Sequence, residues 1–171
     1  QSQIHRIRAY EIVLQQTGVQ LAGDPARIPV TYRNTGSVHL VVHKLDLARY
    51  VQDFIDRVEA DDENAVSGYD LENLSYALLQ DRGNGSYPYL KYRGEKVAEW
   101  DAKVNDAGDH RYAHADITSP LTERGCYVVE ASCAGHEQPV RNLVLLSDIA
   151  VVRKKLKDQQ LCFTVDARTG Q

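Results

Sequence analysis

Methionine is absent from all 171 residues. Such a chain is expected not to begin at a start codon, which leaves room for an export signal that has been removed. No apolar run approaches the roughly 20 residues needed to cross a bilayer, so no membrane-spanning helix is expected. Positive charge is also in deficit: 20 Lys and Arg against 24 Asp and Glu give a formal charge of −4, the wrong sign for a nucleic-acid platform. The one basic cluster, Arg153-Lys154-Lys155 with Lys157, reads as a solvated turn or edge that discourages strand-to-strand aggregation. Cysteine is scarce, and no Cys-x-x-Cys pair is present to suggest zinc. With three cysteines, Cys126, Cys133 and Cys162, at least one stays unpaired, and the compartment is not readable from them. Cys126 and Cys162 sit inside strand-like apolar runs and are expected to be small core residues.

Catalytic signatures are missing as well. There is no Gly-x-Ser-x-Gly elbow, and Gly83-x-Gly85 lacks the third glycine and the strand-to-helix context of a phosphate loop, so it reads as a turn. His110 and His114 lie near Asp109 and Asp116, but on a strand, residues four apart stand about 13 Å apart, too far for one metal ion. His39 and His43 meet the same objection and are expected to be structural. Cys133 with His136 is a short-range coincidence on an expected turn. The acids Asp61-Asp62-Glu63, and Asp101 with Asp106, look like solvated loop charges and not a glycosidase pair. No catalytic, cofactor-binding or metal-ligating residue is assigned, and no cofactor is expected.

What is present is a β pattern interrupted once. Ile4 to Leu14 reads as a first strand, followed by turn chemistry at Gly18 and Gly23-Asp24-Pro25. Ile28, Val30 and Tyr32 alternate on one face of the run from Ala26 to Arg33. After the Asn34-Thr35-Gly36-Ser37 turn, Val38, Leu40 and Val42 alternate against His39, Val41, His43 and Leu45. The period then changes. Leu47, Tyr50, Val51, Phe54, Ile55 and Val58 form a helical stripe, with Arg49, Asp53, Asp56 and Arg57 toward water. Asp61 to Asn64 breaks it, and Ser67 with Asp70 resembles a cap for a second helix carrying Leu71, Leu74, Leu78 and Leu79. The helical insert spans about 47–80.

Strand-like segments resume at Glu95 to Val104, which carries the single tryptophan, Trp100, then at Arg111 to Thr118, Gly125 to Ser132 and Val140 to Leu146. About seven strands with regularly spaced turns predict a mainly β, antiparallel sandwich of the immunoglobulin or fibronectin kind with a two-helix insert. Tyr87, Tyr89 and Tyr92 are expected to pack that insert onto the sandwich. Two more runs, Ile149 to Leu156 and Gln160 to Ala167, follow, and two strands cannot bury enough surface to stand alone. The chain therefore reads as an excised piece of a larger modular protein. The last hairpin is expected to dock on the preceding sandwich or on another copy of the chain.

Several segments line up with a known family. Ile28-Pro29-Val30-Thr31-Tyr32-Arg33-Asn34 followed by Val38 to Asp46 resembles the paired strands of a macroglobulin domain in bacterial alpha-2-macroglobulin-like proteins. Val97-Ala98-Glu99-Trp100, Gly108-Asp109-His110, Ser119-Pro120-Leu121 and Arg124-Gly125-Cys126-Tyr127-Val128-Val129 are similar to the way that domain ends. Ser147-Asp148 and Asp166 to Gln171 resemble the junction where the next begins. The resemblance skips the helical insert.

It implies a macroglobulin-like sandwich over 1–147 and the first strands of a following macroglobulin domain over 148–171. It also implies a non-catalytic module of a large protease inhibitor, exported to the periplasm, cell envelope or extracellular space. Its partners would be neighbouring macroglobulin domains of the same parent chain and, through the parent, target proteases, with no nucleic acid and no membrane span. The family's thioester needs Cys-Gly-Glu-Gln, and here Cys133 to Gln138 has the wrong spacing. The alternative is an extracellular adhesion or carbohydrate-binding sandwich using Trp100 or the tyrosine loop.

Overall fold

The computed structural model describes residues 4, 7–60, 73–157 and 159–171. Its strands are β1 (Glu11–Leu14), β2 (Gln20–Leu21), β3 (Arg27–Arg33), β4 (Ser37–Leu45), β5 (Arg93–Lys103), β6 (Ala113–Thr118), β7 (Gly125–Cys133), β8 (His136–Ser147), β9 (Ile149–Lys155) and β10 (Gln160–Asp166). Between β4 and β5 come α1 (Leu47–Glu59), α2 (Leu74–Leu79) and a 3-10 turn, Pro88–Lys91. One sheet has the order β1-β3-β6, a second β2-β8-β7-β4-β5, and β9 pairs with β10 alone. Among the described residues, every pairing is antiparallel except the two-residue contact of β2 with β8.

The sandwich forms because alternation puts one apolar set from each sheet inward. Ile28, Val30 and Tyr32 of β3 meet Val38, Leu40 and Val42 of β4, with Tyr127, Val129 and Ala131 of β7 and Val144 and Leu146 of β8. Strand alternation alone would leave the other face of the larger sheet to water. Here the insert covers part of it: Leu45, Cys126, Val128 and Leu143 pack against Tyr50, Ala77, Leu78, Tyr89 and Tyr92 in a second apolar cluster. The mainly β sandwich with its helical insert therefore matches the expectation.

Three local expectations are corrected. Strand β1 starts at Glu11, whereas Ile7 and Arg8 are helical and Ile4 is exposed. The reason lies in the partner: β3 ends at Arg33, paired with Glu11, and Asn34, at φ 59°, turns the chain away. Its Nδ2 donates to the carbonyls of Ile7 and Ala9, both at 2.8 Å, which ties the incoming segment down without a ladder. On α1, Ile55 and Val58 are exposed and the buried stripe narrows to Tyr50 and Phe54, while Asp53 turns inward to Lys91 and Tyr92. Cys162 is exposed because, among the described residues, no sheet packs on its hairpin. Helix α2 begins at Leu74 and is capped by Asn73, whose side chain accepts from the Tyr76 amide; Ser67, Asp70 and Leu71 lie outside the described residues.

The expectation that the last hairpin docks on the preceding sandwich is corrected too. β9 and β10 do form a hairpin, but Ile149, Val151, Val152 and Phe163 are each more than half exposed. It projects from the sandwich instead of lying on it.

Candidate interdomain surface

Three features meet where β8 runs into β9. The first is a polar clasp at the hairpin's base. The Ala167 amide donates to the Asp148 carbonyl at 2.7 Å, which closes the ladder. Asp166 accepts from the amides of Arg168 and Thr169, both at 2.8 Å, and these bonds hold its carboxyl below the usual range. That turn aims Arg168 back at the sandwich, where its Nη2 donates to the Ala22 carbonyl and sits 3.3 Å from Asp24. On the other side Arg124, just before β7, pairs with Asp148 at 3.3 Å. Gly23, at φ 91°, lets the Arg168 guanidinium approach, since a Cβ there would lie 2.7 Å from its Nη2.

The second feature is an open groove of about 800 Å³. Leu45, Leu47, Cys126, Leu145 and Ile149 give it apolar walls, and Asp46 and Glu95 stand among its lining residues. Burial pushes the Cys126 thiol up to about 12, so it is packing and not a nucleophile. The third is the hairpin itself. Strand pairing places Ala150, Val152, Leu161, Phe163 and Val165 on one face, with Val151 and Ile149 on the other.

Sequence reasoning found the hairpin but missed the clasp. Arg124, Asp148 and Arg168 fall in segments that carry the family resemblance, but nothing in those segments pairs them with one another, and only the fold brings positions 24 and 168 together. A second polar cluster was also missed. Glu130 of β7 accepts from Tyr89 Oη at 2.7 Å and Arg141 Nε at 2.8 Å, and the Arg141 guanidinium lies 4.2 Å over the Tyr87 ring. Burial is the largest influence on Glu130 and opposes ionisation, yet the two donors together leave its carboxyl below the ordinary value.

The sequence candidates fall elsewhere. Tyr89 and Tyr92 are buried between insert and sheet, as expected, and Trp100 packs against the main core. His39 sits between Glu99 and Asp101 of β5. His43 lies on the same strand face, where burial first and Arg93 second lower its pKa. His110 contacts Asn34 and His114 contacts Thr31, so the two imidazoles serve separate turns and strands. Asp101 and Asp106 are not brought together by any contact between their side chains among the described residues. Cys133 pairs with His136 across the β7–β8 turn, which is the expected hairpin.

No family model matches the sequence, and no curated protein does either. Among solved structures, the fold is similar to a piece of native alpha-2-macroglobulin from Escherichia coli spanning domains MG0-NIE-MG1, at TM-score 0.61 and 18% identity over 95% of this chain. It is also similar to a piece spanning NIE-MG1, at TM-score 0.56 and 17% identity, again over 95% of this chain and 72% of that one. The chain spans about half, 47%, of the larger piece.

Proposed function

We propose that this chain is a non-catalytic structural module of a large alpha-2-macroglobulin-like protease inhibitor. In this reading residues 1–147 are a macroglobulin-type sandwich with a helical insert, and 148–171 open the following macroglobulin domain. The observation that carries it is the projecting hairpin: a clasped base, apolar side chains on both faces, and an apolar groove at its root are what the first strands of an adjoining sandwich require. The shared fold with two solved pieces that each run across a domain boundary supports it. Export to the periplasm, envelope or extracellular space, and neighbouring domains as partners, follow from the same reading. The carbohydrate-binding alternative is weakened, because Tyr89 and Tyr92 are buried and Trp100 packs partly against the core, which leaves Tyr87 of the tyrosine loop as its contact.

The test compares the 171-residue chain with the full-length protein that contains it. The full-length protein is expected to protect a large protein substrate from endoproteases, and the isolated chain to leave cleavage unchanged. A full-length protein that protects nothing, or an isolated chain that binds glycans saturably and loses that on Tyr87→Ala, would overturn the reading.

A further inference from the structure

Between α2 and the 3-10 turn, Arg82 to Ser86 form a tight exposed turn in which three successive residues have positive φ: Gly83 at 115°, Asn84 at 55° and Gly85 at 76°. Glycine enters that region freely and asparagine tolerates it. The turn closes on itself, since the Arg82 amide donates to the Ser86 carbonyl at 2.8 Å and the Ser86 amide to the Gly83 carbonyl at 3.1 Å. The Asp81 carboxylate sits among its amides. Gly83 donates to Oδ1 at 2.8 Å and Gly85 to Oδ2 at a longer 3.3 Å. Next in the chain comes Tyr87, whose ring lies 4.2 Å from the Arg141 guanidinium and 5.9 Å from the Tyr89 ring. The turn therefore sets how the insert meets the Glu130–Arg141 pair.

Asn84-Gly85 is the one Asn-Gly step in the sequence. Such a step is the least protected an asparagine can occupy, because the glycine nitrogen has no side chain beside it to hinder attack on the asparagine amide. Both residues are exposed, and a Cβ added at Gly85 would meet nothing within 4 Å, so nothing crowds that bond. Asn34 and Asn142 show the contrast. Asn34 is also left-handed, but its Nδ2 donates to two carbonyls, its Oδ1 contacts His110 Nδ1, and a β-branched threonine follows it. Asn142 is buried, with its side chain bonded to the Gln15 carbonyl and the Leu143 amide.

We propose that Asn84 is a site of spontaneous covalent modification, converted with Gly85 through a cyclic succinimide to aspartate and isoaspartate, and that the conversion frees Tyr87 from Arg141. The Gly85 backbone nitrogen attacks Asn84 Cγ. The new C–N bond closes the imide as the Cγ–Nδ2 bond breaks, and ammonia leaves with the proton from the Gly85 nitrogen. Water then opens either imide C–N bond, giving aspartate or isoaspartate. In the folded chain the attacking nitrogen must first leave Asp81. Giving up one exposed hydrogen bond is expected to slow the reaction by no more than about tenfold. Both products place a second carboxylate beside Asp81. Isoaspartate also carries the main chain through its own Cβ and Cγ, which lengthens the path from the Gly83 carbonyl to the Ser86 amide and breaks the closure that positions Tyr87. The inference goes beyond the protease reading and does not rest on it.

The experiment incubates the 171-residue chain at mildly alkaline pH, folded and in denaturant, and follows position 84 by peptide mapping, with isoaspartate read by an isoaspartyl methyltransferase. Asn84 is expected to convert before Asn34 and Asn142, at a folded rate within about tenfold of the unfolded one, and faster as pH rises because attack needs the deprotonated nitrogen. Asp81→Ala removes the bond that must be given up and is expected to speed the folded chain about two- to tenfold while leaving the unfolded chain unchanged. Asn84→Gln, whose longer side chain closes the ring poorly, is expected to stay unmodified over the same period. The isoaspartate form, separated by ion exchange, is expected to show faster amide exchange at Gly83, Gly85 and Ser86 with β3 and β4 unchanged. A folded chain that keeps Asn84 intact while the unfolded chain is converted overturns the proposal. So does an isoaspartate form whose turn exchanges as slowly as the parent's.

Discussion

At the scale of single residues, Glu130 is where the structure concentrates electrostatic stability. Its side chain is 17% exposed and that of Arg141 16%, so the pair is largely shielded from the solvent that weakens surface ion pairs. Removing one member leaves the other's charge uncompensated, and Glu130→Gln is expected to cost about 2 kcal/mol in denaturant unfolding. The pH dependence has a definite sign. Because the folded carboxyl titrates below its unfolded value, its contribution is complete above the unfolded pKa and is lost as pH falls through that value toward the folded one. The Gln variant should therefore show a shallower loss of stability on acidification, and an unchanged acid limb would contradict this. Gly135 is a second sensitive point: at φ 80°, a Cβ there would lie 2.5 Å from the Tyr10 ring. Gly135→Ala is expected to release the Tyr10 segment, seen as faster amide exchange over residues 9–11, with a loss of about 1 kcal/mol.

Among elements, the insert shows how much of a fold can be read before it is seen. The two strands β3 and β4, helix α1 and the β7–β8 hairpin were legible because each carries its own period and its own turn residues. The N-terminal strand was not, since its length depends on where β3 stops, and Cys162 was misplaced because alternation predicts a face but not whether anything covers it. Helix α2, six residues long, is too short to stand on propensity and depends on Leu78, which is fully buried against the sheet. Leu78→Ala is expected to cost about 2–5 kcal/mol and to expose α2 and the 3-10 turn to exchange while Trp100 fluorescence, reporting the main core, stays native. Loss of both together would mean that insert and sandwich are one cooperative unit. The surface around the hairpin was half legible: the hairpin's pattern is local, but the clasp joins residues far apart in sequence.

For the whole molecule, the central claim is that the chain is a scaffold that holds a projecting hairpin at a set angle to its sandwich. The two ion pairs of the clasp are solvent-exposed and worth only about 0–1 kcal/mol each, enough to fix direction but not to resist salt or force. The distance between spin labels placed at Lys103 on β5 and Arg153 on β9 tests this most directly, in a Cys133→Ser/Cys162→Ser background and at concentrations where the chain is monomeric. One narrow distribution is expected at low salt, broadening on Arg168→Ala/Arg124→Ala and partly in high salt. A distribution already broad in the parent protein, or one whose width ignores both arginines, would contradict the account.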